Sequence, residues 1–189
     1  MMLSKLRTIF RTWRTEERGS LSVEAVIVLP LLFWGLGGIY VFWDGFKAQN
    51  ANVKAAYTIV DMLSRENVPI DNAYLDGARD IYRFLTETPD SGDIRISVVS
   101  MGLDAAGNPE LELEWSEGTG PLQSHPGPDA LDRFVPDFAV GDQMIIVETH
   151  MTWSPVFDVG MADLRLQEIA VAKPRFIPQL LWDDGSSSS

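Results

Sequence analysis

Residues 25–43, AVIVLPLLFWGLGGIYVFW, are nineteen consecutive positions without a charge. As an α-helix rising about 1.5 Å per residue, such a run matches a hydrocarbon layer about 30 Å thick. The rest of the chain must be arranged around that segment, so membrane lipid is its first expected partner. Charge orients it. Lys5, Arg7, Arg11, Arg14 and Arg18 stand against Glu16 and Glu17 in residues 1–18, a net +3, which leaves −15 of the total −12 for everything after. Cations on the N-terminal side and Asp44 directly after the run keep the short N-terminus in the cytoplasm and place the acidic remainder across the membrane. Tyr40 and Trp43 fall where an outer aromatic belt sits, and Leu3, Leu6, Ile9, Phe10 and Trp13 give the leader an apolar side for the inner surface.

A removable secretory signal has a similar basic and apolar order. Its apolar region is about 7–15 residues, shorter than this run, and the nearest small-residue cleavage pattern, Val53-Lys54-Ala55, lies well past its end. The acidic body argues against nucleic acid as a partner, because phosphate binding needs Lys and Arg to displace counterions. Without cysteine there is no disulfide framework, thiol nucleophile or thiolate metal site.

Beyond the run, residues 44–66 continue without proline, and Ala48, Ala51, Ala55, Ile59, Met62 and Leu63 recur at helical spacing. One long helix from about Ser20 to Glu66 is expected, ended by Val68-Pro69. Asp71 is placed to cap a second helix with an apolar face of Tyr74, Leu75, Ala78, Ile81, Tyr82 and Leu85, stopped near Pro89. The period then becomes two. Ile94, Ile96 and Val98 form one strand and Leu111, Leu113 and Trp115 another, each with one wet face, linked by a hairpin through Gly102–Pro109. Residues 118–141 hold four prolines and read as loop with a short turn at Leu131–Phe134. Met144–Trp153 reads as a third strand and Leu164–Ala172 as a fourth strand or a helix. The expected class is α+β: a basic leader (1–19), a transmembrane helix (20–43) extending into a domain (44–182) with a second helix and an antiparallel sheet of about four strands, and a disordered tail (183–189).

One acid opens the apolar run. Glu24 can be read as snorkelling to the headgroups beside Arg18, which lowers the cost of a charge near the end of a span. Its setting gives a second reading. Arg18-Gly19-Ser20-Leu21-Ser22-Val23-Glu24, running straight into an apolar helix, resembles the processing site of type IV pilin-like precursors. That resemblance implies cleavage by a membrane prepilin peptidase between Gly19 and Ser20, making Glu24 the fifth mature residue. Cleavage would remove the five cations, and the new α-amine on Ser20 is a fitting counter-charge for the Glu24 carboxylate of a neighbouring helix.

Ser22-Val23-Glu24-Ala25 leading into Val28-Leu29-Pro30-Leu31-Leu32 is similar, more narrowly, to the N-terminal signature of TadE-like minor pseudopilins of the tight-adherence (Flp) pilus. Residues 134–155, FVPDFAVGDQMIIVETHMTWSP, loosely resemble a later strand of that family, with Trp153 where a Tyr is expected. The resemblance implies a non-enzymatic accessory subunit with no cofactor, whose partners are the peptidase, other pilins or pseudopilins and the assembly platform. It also implies a diderm bacterium, with the chain in the inner membrane, its C-terminal domain periplasmic, or in the fibre after processing. Pro30 forfeits a hydrogen bond to the Val26 carbonyl. With Gly35, Gly37 and Gly38 it forms either a kink and close-packing face or ordinary span composition.

The alternatives are an uncleaved signal-anchored protein with a partner-binding outer domain, and a periplasmic metal-dependent enzyme. The enzyme would use Glu148 and His150, which share one strand face but lack a third ligand. Otherwise these two are expected as exposed polar residues, with His125 in a loop. No G-x-S-x-G, P-loop, G-x-G-x-x-G or H-E-x-x-H motif occurs.

Overall fold

The structure, a computed structural model, describes residues 20–185. The chain is α+β, with a long apolar N-terminal helix, a second helix and a four-stranded antiparallel sheet. It divides into two compact units, one built from the residues up to Asp44 with Pro155–Met161, the other from Gly45–Ser154 with the residues from Ala162 onward.

Helix α1 runs over Ser20–Ser64, 45 residues, with Pro30 inside it. In the first unit its apolar side chains are exposed around nearly the whole circumference, among them Val26, Ile27, Leu32, Phe33, Trp34, Ile39 and Trp43. The helix is long and apolar enough to cross a membrane. Pro30 lacks the N–H that would bond to Val26, and the helix tolerates that single loss. In the same unit the Phe157 ring approaches Tyr40, with 6.0 Å between centroids.

In the second unit α1 changes character. Asn52, Ala55, Ala56, Ile59, Val60 and Leu63 form a buried stripe at helical spacing, small residues allowing close approach. The helix ends at Ser64, two residues before the expected Glu66. Its last turn tightens as Arg65 and Glu66 donate to the Met62 and Leu63 carbonyls, three residues back.

Helix α2 (Asn72–Thr86) is capped as anticipated, with the Asp71 carboxylate accepting from the Tyr74 N–H at 2.8 Å. It ends on Glu87 in the left-handed conformation, φ 56°, with the Glu87 N–H turned back to the Arg83 and Phe84 carbonyls. Its buried face is narrower than expected: Leu75, Ala78, Tyr82 and Thr86 point inward, while Ile81 and Leu85 are exposed.

The strands are β1 (Asp93–Leu103), β2 (Pro109–Gly118), β3 (Gln143–Trp153) and β4 (Leu164–Ala172), in the order β2-β1-β3-β4. The ambiguous fourth segment is a strand, paired with β3 from Ile145↔Ala172 to Trp153↔Leu164. Ile94, Ile96, Val98, Ile145 and Val147 join α1 and α2 in the main core.

Two expectations for the sheet are corrected. The opposite face of β1 is not wet: Ser97 and Val99 are buried, and Val99, Ile146 and Leu131 form a second apolar cluster with Leu111, Leu113, Val135 and Phe138. The segment 118–141, read as loop, is mostly loop, and through Leu131, Val135 and Phe138 it covers that face. Nor do Leu111, Leu113 and Trp115 share a side. Val98 pairs with Trp115 and Val99 with Leu113, so Glu114 is an extra residue in a β-bulge. The bulge sends Leu111 and Leu113 to the covered face and Trp115 to the helical core.

After β4 the chain returns to the helices. Arg175 N–H bonds to the Ser64 carbonyl, Ile70 bridges Trp182, and the Asp183 N–H reaches the Ile70 carbonyl. Leu180 is buried in the main core, and its carbonyl accepts from the Trp115 indole at 2.8 Å.

Candidate functional site

Of the residues singled out in the sequence, Gly19 lies outside the described residues, and Ser20 is the first helical residue described. Glu24 sits on α1 with its side chain exposed, and among the described residues it forms no ion pair. The continuity of α1 through Pro30 gives these positions a defined relation. At about 100° per residue, positions eleven and fourteen residues after Glu24 return to nearly the same side, three and four turns on. These are Gly35 and Gly38, so the acid and two glycines lie along one stripe, while Pro30 is about a third of a turn away. A Cβ placed on Gly35 or Gly38 would meet no atom within 4 Å, so their lack of a side chain serves no packing within the described chain. This stripe leaves backbone open to close approach by another helix.

The second group of candidate residues lies on the covered face of the sheet. Antiparallel register puts Arg95 of β1 opposite Glu148 of β3. The Arg95 Nε donates to Glu148 Oε2 at 2.6 Å, and His125 Nε2 lies 2.7 Å from the same oxygen. A carboxylate oxygen only accepts, so the His125 ring presents an N–H there. The arginine also donates from Nη1 to the Gln123 carbonyl, and the His125 backbone N–H donates to Ser116 Oγ, which is itself 2.8 Å from Ser97 Oγ. These bonds fasten residues 119–125 onto the sheet. Burial works to raise the Glu148 pKa, but hydrogen bonds and charge from Arg95 and His125 outweigh it and hold the carboxyl below its ordinary value.

Glu148 is thus buried and paired, not an exposed polar residue. Its neighbour is His125 from the loop, whereas His150 stands opposite Asp93 in the register. Burial, only partly opposed by the Glu148 charge, lowers the His150 pKa. Among the described residues no three His, Asp or Glu come together in a set suited to a metal ion. The His125 ring is committed to Glu148, and Ser116 takes the histidine's backbone N–H, so neither forms a serine–histidine relay. The arrangement ties a loop down. His125 carried no periodic signal, but the Arg95 and Glu148 pair could have been found by aligning β1 and β3 with their apolar faces together.

No protein-family model, curated protein or solved structure matches this chain.

Proposed function

We propose that the chain is a pilin-like accessory subunit for assembly of a tight-adherence pilus, anchored in a bacterial inner membrane and matured by a prepilin peptidase between Gly19 and Ser20. What carries the reading is Glu24: an exposed acid at the head of a membrane-length apolar helix, in line with Gly35 and Gly38. An acid there costs insertion energy unless it meets a positive partner. The Ser20 α-amine of another matured subunit supplies one, and the glycine stripe lets the two backbones approach. In this reading the domain stands in the periplasm and meets other pilins or the assembly platform. The subunit's role is binding and placement, not catalysis.

The test is the intact mass of chain recovered from membranes with and without a coexpressed prepilin peptidase. Loss of residues 1–19, leaving Ser20 first, is expected only with the peptidase and not for Gly19→Arg. Glu24→Ala is expected to be cleaved normally yet to lose copurification with its pilin partners. A full-length chain in both samples would leave an uncleaved signal anchor and remove the pilus reading.

A further inference from the structure

The first unit contains one segment far from α1 in sequence, Pro155–Met161, which connects β3 to β4. Connections between strands of a water-facing domain are ordinarily polar. This one opens on Pro155, Val156 and Phe157, and both Val156 (62%) and Phe157 (54%) are exposed. Its acids are Asp158 within and Asp163 just after it. The loop turns on Asp158, whose carboxylate accepts the Gly160 N–H at 3.1 Å, with Gly160 at φ 84°. An Asx-type turn on a glycine with positive φ supplies the bend without further packing.

The rings show where this apolar tip rests. Phe157 lies 6.0 Å from Tyr40 at an interplanar angle of 58°, and Tyr40 lies 6.0 Å from Trp43 at 42°. Tyr40 and Trp43 both lie in the last four residues of the apolar run, and both are exposed. Three rings therefore form a continuous exposed aromatic surface, two from the end of the span and one from the loop. Aromatic side chains at a span boundary occupy the headgroup level, with the ring against acyl chains and any polar tip toward water.

We infer that Pro155–Met161 is a second membrane contact, a loop whose Val156 and Phe157 enter the outer interfacial layer of the bilayer beside Tyr40 and Trp43. The occupant of this surface is lipid, because the loop continues a surface that the span itself presents to lipid. Asp158 stays at the water side, its carboxylate engaged with the turn. The inference rests on the reading of α1 as a membrane span, and it adds a contact that the apolar run alone does not supply.

The absence of cysteine makes the test direct. Single cysteines at Val156, at Leu32 in the span and at Phe176, an exposed apolar residue of the other unit, are labelled with an environment-sensitive fluorophore. The full chain is reconstituted in phosphatidylcholine vesicles with and without nitroxide-bearing lipid. The V156C label is expected to shift to the blue and to be quenched several-fold more by a shallow nitroxide than the F176C label, which stays accessible to aqueous iodide. Quenching at L32C without quenching at V156C overturns this inference and leaves the span intact. No quenching at L32C overturns both. Protection of V156C from iodide without lipid quenching also overturns it, in favour of a second protein chain over the loop.

Discussion

Helix α1 is one element with two sequence grammars. Between Val26 and Trp43 apolar residues surround the axis, and all but the buried Val41 among the large ones lie exposed. Between Ala55 and Leu63 they retreat to a stripe, with Lys54, Tyr57 and Thr58 outside it. The difference lies in what supplies the other half of the core. The second segment finds it in α2 and the sheet, and needs only a face. The first buries Val41 but leaves most of its apolar side chains exposed, and its composition suits a solvent that is apolar on nearly every side. The contrast separates the two stretches more sharply than their helicity, which is common to both.

The same substitution should therefore fail differently in the two halves. Ile59→Asp buries a charge with no partner and is expected to abolish cooperative unfolding of the domain, a loss above about 4 kcal/mol, seen as a missing transition in denaturant titration followed by near-ultraviolet circular dichroism. Leu32→Asp should leave that transition in detergent within about 0.5 kcal/mol of the parent. It should instead weaken membrane integration by about 2.5–3.5 kcal/mol, read by alkaline extraction of membranes. Equal damage to domain unfolding from both substitutions would erase the distinction.

A second comparison is between the two faces of the sheet, one sealed by helices and the other by a loop held with charges. Glu148→Leu leaves the Arg95 guanidinium buried without its carboxylate and should cost about 3–5 kcal/mol. Adding Arg95→Met should recover much of that loss, and a double-mutant cycle measures the coupling. If Glu148→Leu is neutral, the charges do not hold the loop.

Acid should probe this face in two stages. The lowered His150 pKa means that the unfolded chain binds a proton first, so stability falls as pH drops through 6.5. The lowered Glu148 pKa contributes stability present above about 4.5 and lost as pH falls below it toward the folded value. His150→Gln should flatten the upper stage and leave the lower, while Glu148→Gln should reduce the lower. Melting temperatures between pH 8 and 3.5 distinguish them. The smallest effect is expected at the α2 cap, where Asp71→Ala should cost about 1 kcal/mol by thermal melting.

These sites also mark how far the sequence could be read. The α1 run, the Asp71 cap and the first three strand segments were legible because each carries a local period or a local bond, while Leu164–Ala172 could be read as strand or helix. The side assigned to Trp115 was not, since a bulge at Glu114 breaks parity without leaving a Gly or Pro to announce it. The segment over the second face was read as loop, which it is, but its covering role was hidden because Leu122 and Leu131 are isolated among prolines and their burial depends on packing against the sheet. The pairing of His125 with Glu148 was hidden for the same reason. At the candidate assembly site the residue types were legible, whereas the alignment of Glu24 with Gly35 and Gly38 depends on the helix remaining continuous through Pro30.

The return of the chain after β4 has a consequence in time. Leu180 fills the main core, and Ile70 holds the strand-like segment at Trp182 and Asp183. The domain cannot close until a segment more than a hundred residues beyond α1 has been delivered, so little of its stability is available to partial chains. During synthesis the apolar stripe at Ala55–Leu63 stands waiting, and the time to delivery of Leu180, rather than the strength of any single contact, sets how long it is open to aggregation or proteolysis.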